Sequence, residues 1–160
     1  MSKISPCLWF DGAAEEAANF YVSLLPDSRV VHVLHNGADD RTGKVGSVLF
    51  VEFILAGQSF QALNGGADFP HSHAISFSID CADQAEVDRL WAALGDGGEP
   101  VQCGWIKDRF GVSWQIVPSV LPRLLADPDP AKAARAMQAM MGMVKFDIAA
   151  LEAAHRGEVA

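Results

Sequence analysis

The chain has few of the features that mark secreted and membrane proteins. It contains three cysteines in 160 residues, Cys7, Cys81 and Cys103, and no CxxC pair. This number and spacing favour reduced thiols over a disulfide framework or a zinc knuckle. No apolar run approaches the roughly 20 residues that cross a membrane, and the N-terminus lacks a signal-peptide core and a small-residue cleavage site. We therefore expect a cytoplasmic protein.

Basic residues are also scarce. Lys and Arg number 12 against 20 Asp and Glu, which gives a net charge of −8 at pH 7, and the basic residues do not cluster. Such a surface repels phosphate backbones and acidic lipid headgroups. We therefore expect neither a nucleic-acid partner nor a membrane partner. The glycine-rich residues 64–66 and 95–98 match neither of the common phosphate-binding spacings, so they predict turns.

What the chain does contain is one strand–helix unit that occurs twice, with an offset of about 70 residues. Copy one begins at Ile4 and copy two at Ala74. Both helices carry an apolar stripe at i, i+3, i+4 and i+7, which consists of Ala17, Phe20, Tyr21 and Leu24 in copy one and Val87, Leu90, Trp91 and Leu94 in copy two. This repeat predicts a pseudo-symmetric domain.

Each copy predicts the element order β-α-β-β-β. The strands are expected at 4–10, 28–35, 45–55 and 59–63 in copy one and at 74–80, 99–103, 105–107 and 112–117 in copy two. Asp11 is expected to cap the first helix, Asp83 and Glu86 form a capping box at the second, and Asp129 and Asp147 cap two helices of the tail. We predict an α+β fold with one domain at 1–118, repeats at about 1–65 and 72–118, and a helical C-terminal extension at 119–160.

Three strands share an alternation of side chains that indicates a binding surface. Large apolar residues such as Phe77, Trp114 and Phe60 must face the helices, because successive side chains point to opposite faces of a sheet. The other face then carries small and uncharged polar groups: Ser76 and Ser78, Ser113 and Gln115, and Ser59 and Gln61. We interpret it as a cavity lining, and the alternative is an ordinary solvent-exposed sheet face.

Candidate reactive residues are few. His71 and His73 could bind a metal together, but the sheet positions where a carboxylate ligand would lie are Gln61 and Gln115, which are neutral. His73 is the only plausible ligand, and we predict no bound metal. Cys103 is either a reactive thiol or, as we favour, a structural one. A methionine cluster in the tail is an adaptable interface or core: Met137, Met140, Met141 and Met143.

Several strings resemble one branch of a known superfamily. LWFDGAAEEAANFY, FQALNGG, QAEVDRLW, QCGWIKDRFGVSWQIVP and KFDIAALEAA are similar to the PhnB-like branch of the vicinal oxygen chelate superfamily, which includes glyoxalases, extradiol dioxygenases and bleomycin-resistance proteins. That branch is often labelled 3-demethylubiquinone-9 3-methyltransferase. The resemblance covers nearly the whole chain. It implies two β-α-β-β-β halves that form a cupped mixed sheet, and it implies frequent homodimers.

The resemblance also implies positions for metal ligands. In metal-using members these come from the first and last strands of each copy, which places them here near Pro6, at Gln61, at Ala74 or the adjacent His73, and at Gln115. Of the residues at these positions, only His73 would be a good metal ligand. No strand here is followed by the glycine-rich turn with which S-adenosylmethionine enzymes approach their cofactor.

We therefore expect a PhnB-like protein that binds an unknown small organic molecule in the sheet cup, with neither metal nor cofactor. The expected ligand-binding residues are Phe10, Gln61, His73, Ser76, Ser78, Trp105, Ser113 and Gln115. Two alternatives stay open: an enzyme, either a metal-dependent lyase or isomerase or the labelled methyltransferase, and an interaction module whose cup is filled by its own side chains. Open sheet edges and the methionine-rich tail also predict a homodimer.

Overall fold

The computed structural model describes residues 3–158, and the chain divides into two compact units between Pro70 and His71. In the first unit the sheet order is β1-β4-β3-β2, with β1 parallel to β4 and the other pairs antiparallel. Its elements are β1 (Cys7–Phe10), α1 (Ala14–Leu24), β2 (Arg29–His35), β3 (Val48–Leu55) and β4 (Gln58–Asn64). This is a mixed four-stranded sheet with one helix.

The second unit repeats this arrangement and adds the tail. The sheet order is β5-β8-β7-β6, again with one parallel pair, β5 and β8. Its elements are β5 (Phe77–Cys81), α2 (Gln84–Gly95), β6 (Glu99–Pro100), β7 (Trp105–Lys107), β8 (Ser113–Pro118), α3 (Leu121–Leu125), α4 (Pro130–Met141) and α5 (Ile148–Arg156). The predicted α+β fold with two β-α-β-β-β repeats and a helical tail is confirmed. No helix in the described part of the chain is both long and apolar enough to span a membrane.

Each sheet is covered on one face by its own helix. In the first unit Tyr21 of α1 and Val51 of β3 have no exposed surface, and Phe53 has 1%. In the second unit Leu90 of α2 and Ile106 of β7 are likewise fully buried. Burial of side chains of this size is worth about 1.5–3 kcal/mol each, so these two interfaces dominate the stability of the units. The apolar stripes read from the sequence therefore mark the cores.

Helix α1 departs from the sequence-based expectation at its start. The N-cap position is Ala13, no side chain caps it locally, and Asp11 is not the cap. Instead the side chain Oδ1 of Asn64, at the end of β4, accepts a hydrogen bond from Ala14 N at 3.0 Å. The other predicted caps are confirmed: Asp83 accepts from Glu86 N, Asp129 from Ala131 N and Asp147 from Ala150 N, each at 2.9 Å.

The tail packs within the second unit. Leu121, Phe146 and Leu151 form its buried cluster, and half-buried Met140 and Met143 pack against it. Helix α3 was not expected from the sequence. Ile75 was expected in a strand, but β5 begins at Phe77 and Ile75 is 73% exposed. The methionines predicted as one cluster differ: Met140 and Met143 belong to the core of the tail, whereas Met137 and Met141 are exposed.

Candidate functional site

The sheet of the second unit has a polar face on the side away from α2. Trp114 and Ile116 of β8 are buried on the α2 side, so the alternation of the strand places Ser113 and Gln115 on the other. Ser78 of β5 and Trp105 of β7 are the register partners of Gln115 on either side. Because directly opposed residues share a sheet face, these three side chains form one row.

Two hydrogen bonds connect this row to the segment that precedes β5. Gln115 Nε2 donates to Ser76 Oγ at 2.8 Å, and Ser113 Oγ lies 3.0 Å from His73 Nδ1. The His73 ring also meets the Trp105 ring edge-on, with centroids 6.4 Å apart. We call this surface the polar face; its members are His73, Ser76, Ser78, Trp105, Ser113 and Gln115. The structure thus brings together all the sequence-predicted site residues of the second unit.

Ser113 orients His73. Ser113 is 1% exposed, so its hydroxyl cannot attack an external substrate, whereas His73 is exposed. The bond to Ser113 engages Nδ1 and fixes the ring orientation, which leaves Nε2 as the nitrogen for a ligand. The arrangement suits hydrogen bonding or proton exchange at Nε2 with a molecule that lies on the polar face.

The polar face has a charged border that the sequence analysis missed. Lys107 is the register partner of Ser113, and it forms a salt bridge with Glu99 of β6. The hydrogen bond from Lys107 holds the pKa of the Glu99 carboxyl below its usual value, and the charges of Lys107 and His73 act in the same direction. The three strands from which an uncharged face was predicted did not include β6 and β7, which carry Glu99 and Lys107. The alternation of Lys107 with buried Ile106 is the signal that would have shown this border.

The other two predicted residues lie in the first unit, and they occupy opposite faces of its sheet. Gln61 is half-buried on the face away from α1 and lines a cleft of about 570 Å³. Phe10 is 5% exposed and shares the buried face of β1 with Leu8. This corrects the expectation that Phe10 offers a stacking surface, because its strand phase turns it into the core. Trp9 is the β1 aromatic on the other face.

The D-x-F-G-x-S-W string proves to be structural. Asp108 is 2% exposed; its Oδ1 accepts from Phe110 N and Val112 N, and its Oδ2 accepts from Trp114 Nε1 at 2.8 Å. These bonds hold the turn between β7 and β8. The string therefore specifies the hairpin that carries Trp105, Ser113 and Gln115, and it supplies no reactive group itself.

The positions implied for metal ligands carry few side chains that bind metals well. Within residues 3–158 no group of three or more His, Cys, Asp or Glu side chains could hold a metal ion. Of the implied positions, His73 has Nδ1 engaged by Ser113 and Gln115 has its amide engaged by Ser76. Neutral carboxamides are weak ligands for transition metals. Metal independence stays a prediction.

The three cysteines are free thiols in the described residues. Burial raises the pKa of Cys81 to about 12 and also raises the pKa of Cys7. Thiols with raised pKa values are poor nucleophiles at neutral pH. Cys103 Sγ donates to Met140 O at 3.7 Å and packs against the tail cluster, which is a structural role.

Comparison with known proteins gives one family and several similar folds. The family model described as 3-demethylubiquinone-9 3-methyltransferase matches residues 2–117. A structure described as a PhnB protein from Bacillus cereus is 32% identical, covers 73% of this chain and 99% of its own, and has a TM-score of 0.68. A protein from Pseudomonas aeruginosa is 22% identical over 74% of this chain and 98% of its own, with a TM-score of 0.61, and so shares the fold. A glyoxalase/bleomycin resistance protein from Albidiferax ferrireducens T118 is 15% identical over 71% of this chain and 95% of its own, with a TM-score of 0.44. No curated protein matches the chain.

Proposed function

The chain belongs to the 3-demethylubiquinone-9 3-methyltransferase family and is PhnB-like, and from this premise we propose that it binds a small organic molecule on the polar face without a metal. The resemblance read from the sequence is thereby confirmed. The observation that carries the proposal is the placement of the six polar-face residues on one surface, with a bond of 2.8 Å between Gln115 and Ser76 and one of 3.0 Å between Ser113 and His73.

The polar face offers specific contacts to such a ligand. The half-buried indole of Trp105 provides a flat apolar surface for a ring or a planar conjugated group. Ser78 is exposed and its hydroxyl makes no hydrogen bond with any other described residue, so this hydroxyl is available. His73 Nε2 and the Oε1 of Gln115 complete the set. Each well-aligned bond adds about 0.5–1.5 kcal/mol to affinity, so the contacts favour a polar molecule with an aromatic or conjugated part.

The methyl transfer in the family description finds no support in the glycine-rich loop after β4. A Cβ at Gly65 would lie 1.8 Å from the Trp9 ring, and one at Gly66 would lie 1.8 Å from the carbonyl oxygen of Arg41. These glycines are needed for close packing of the protein on itself, so they do not form a cradle for a nucleotide cofactor. The residues present do not fit S-adenosylmethionine, and we derive no step through it.

Native mass spectrometry of the purified chain tests the proposal. We expect an organic molecule to co-purify with the wild type, to be lost in Gln115→Leu and to be retained in Gln138→Leu, an exposed glutamine on α4 that serves as the matched control. Circular dichroism checks that both variants are folded. Equal retention of the molecule by both variants contradicts the proposal and favours the interaction module. The same conclusion follows if no molecule co-purifies and no compound of a metabolite library changes the melting temperature.

Elemental analysis of the same samples tests metal independence. We expect no stoichiometric transition metal in protein purified without chelators. About one metal per chain that disappears in His73→Ala would contradict this and would favour the metal-dependent enzyme.

We also propose that the protein is a homodimer. The edge strand β2 exposes Val31 and Leu34, and the α4 side of the tail exposes Met137 and Met141. Exposed apolar edges favour pairing with another chain. Light scattering should give about twice the 17.1 kDa chain mass. Leu34→Lys should shift the protein toward monomer, whereas Val45→Lys, in an exposed loop, should not; a wild-type monomer at micromolar concentration contradicts the proposal.

A further inference from the structure

The first unit contains a cleft that the proposed function does not use. It has a volume of about 570 Å³, within the usual range for small-molecule sites. We call it the first-unit cleft; among its lining residues are Lys3, Ser5, Val31, Glu52, Ile54 and Gln61. All of them belong to one unit, so the cleft is a feature of the first sheet and of the segment that precedes β1.

Glu52 is the unusual residue in this cleft. It interrupts the apolar strand VLFVEFIL, in which Val51, Phe53 and Leu55 are buried on the α1 face. The alternation of β3 therefore turns Glu52 to the opposite face, where it is half-buried. Among residues 3–158, no side chain or backbone group forms a hydrogen bond or an ion pair with its carboxylate.

Gln61 lies beside Glu52. The two residues are direct register partners on β3 and β4, so their Cβ atoms are about 4.5–5.5 Å apart. The side-chain amide of Gln61 is half-buried and likewise has no hydrogen-bond partner among the described residues. A carboxylate and a carboxamide thus lie side by side in a partly desolvated cleft. The polar atoms of the two side chains are not fully buried, so they are accessible to a ligand that enters the cleft.

The described cationic residues near Glu52 do not pair with its carboxylate. Lys3 lines the cleft, His32 is the exposed register partner of Glu52 on β2, and Arg29 is the register partner of Ile54. None of them forms a salt bridge with Glu52 in the described part of the chain. The net charge of −8 also attracts small cations toward the protein.

We propose that the first-unit cleft binds a small organic amine, with its ammonium group on the Glu52 carboxylate. Charge-assisted hydrogen bonds of this kind are roughly twice as strong as neutral ones. Gln61 adds a directional bond from its carbonyl oxygen, and Val31 and Ile54 contact the carbon framework. A lone carboxylate is too few ligands for a divalent metal ion, which takes about six oxygen ligands, so an organic cation fits the cleft better.

The proposal is tested by NMR titration of the full chain at pH 7 with hexylammonium, and with hexanol as the neutral probe of equal length. We expect saturable shifts of β3 and β4 amides with the amine, and binding at least about tenfold weaker with the alcohol. Glu52→Gln should weaken amine binding by at least about tenfold, since it keeps the size and removes the charge. Glu52→Asp should restore part of the affinity.

Asp68→Asn is the matched control, because it removes an exposed carboxylate of the same unit that lies outside the cleft. It should bind the amine as the wild type does. Equal affinity for amine and alcohol overturns the proposal. So does unchanged binding by Glu52→Gln, or no binding of the amine up to about 10 mM.

Discussion

Asp108 shows how a single residue specifies a hairpin. Its carboxylate is buried, yet it accepts hydrogen bonds from two backbone N–H groups and from the Trp114 indole. A buried carboxylate is tolerable when both of its oxygens accept hydrogen bonds in this way. The turn also places Gly111 at φ +86, a backbone conformation that favours glycine. The residues of the family-like string therefore hold each other in place.

Replacing Asp108 should be costly. Asp108→Asn removes the charge and replaces one acceptor oxygen with an N–H donor, so we expect the free energy of unfolding to fall by about 1–3 kcal/mol, and further in Asp108→Ala. Urea unfolding monitored by tryptophan fluorescence measures this. The control is Asp80→Asn on β5, an exposed carboxylate that should change stability by no more than about 0.5 kcal/mol. An equally small change in Asp108→Asn would contradict the role assigned to the hairpin.

The two glutamines that the sequence analysis treated alike differ in the structure. Gln115 donates to Ser76 in a partly buried bond, whereas Gln61 has no described partner. We therefore expect Gln115→Leu to cost about 0.5–1.5 kcal/mol of unfolding free energy and Gln61→Leu to stay within about 0.5 kcal/mol. Thermal or urea unfolding separates them. In a double-mutant cycle with Ser76→Ala, most of the unfolding free energy lost in Gln115→Leu should appear as coupling energy between the two residues. A coupling energy of zero would contradict the hydrogen bond.

At the scale of elements, α1 depends on the strand that lies beside it. Asn64 at the end of β4 accepts from Ala14 N and donates its Nδ2 to Val48 O at 2.9 Å. One buried amide therefore satisfies a helix N-terminus and the start of β3 together. Asn64 is 4% exposed, so water cannot replace either bond.

Asn64→Ala should lower the free energy of unfolding by about 1–3 kcal/mol, because it removes the Asn64 partner of a buried N–H group and of a partly buried carbonyl group. The matched control is Asp11→Ala. Asp11 is the cap that the local sequence pattern favours, and it is exposed, so its loss should change stability by no more than about 0.5 kcal/mol. Circular dichroism during urea unfolding provides both values. A larger loss in Asp11→Ala than in Asn64→Ala would reverse the assignment of the cap.

The two kinds of cap explain what the sequence could predict. Asp83, Asp129 and Asp147 lie directly before their helices, so the local pattern identifies them. Asn64 caps a helix 50 residues away, and no local pattern contains that contact. The same limit applies to the site: alternation predicted that Ser113 and Gln115 share a face, but their bonds to His73 and Ser76 come from distant segments. Glu52 was missed because the strand was read only as an apolar run.

The tail docks at Gly104. Gly104 N donates to Val144 O at 2.8 Å, its φ is +76, and a Cβ there would lie 2.3 Å from Phe146 Cε2. Phe146 belongs to the buried cluster that joins the tail helices to the second sheet. Only glycine therefore permits the docking of Phe146.

Gly104→Ala should weaken this docking. We expect faster amide hydrogen exchange in α5 and little change in α1. Gly37→Ala is the control, because a Cβ there meets nothing within 4 Å and its φ is ordinary. Unchanged exchange in α5 of Gly104→Ala would show that the tail does not depend on this contact.

At the scale of the whole molecule, one carboxylate attaches the tail to α2 and another holds segments of the tail together. Asp88 of α2 pairs with Lys145, which precedes α5, and Asp127 lies 2.9 Å from His155 Nε2 on α5. The hydrogen bond from Lys145 holds the pKa of the Asp88 carboxyl below its usual value, with a further contribution from Gln84. The backbone N–H of Asp129 does the same for the pKa of Asp127, and the hydrogen bond and charge of His155 add to it.

These lowered pKa values predict the direction of the acid response. A carboxyl whose pKa is lower in the folded chain than in the unfolded chain contributes its stabilisation fully above the unfolded value, about 3.9 for Asp, and loses it as the pH falls through the folded value. We therefore expect the melting temperature to fall below about pH 4, with faster hydrogen exchange in α5 before global unfolding.

Asp88→Asn should lower the melting temperature at pH 7, and its melting temperature should fall less on acidification than that of the wild type. Asp68→Asn, which replaces an exposed carboxylate of the other unit, should show the same pH dependence of the melting temperature as the wild type. The scans must avoid the region near the isoelectric point of about 4.9, where loss of net charge promotes self-association. A melting temperature that stays constant or rises between pH 5.5 and pH 3 would contradict the role assigned to these pairs.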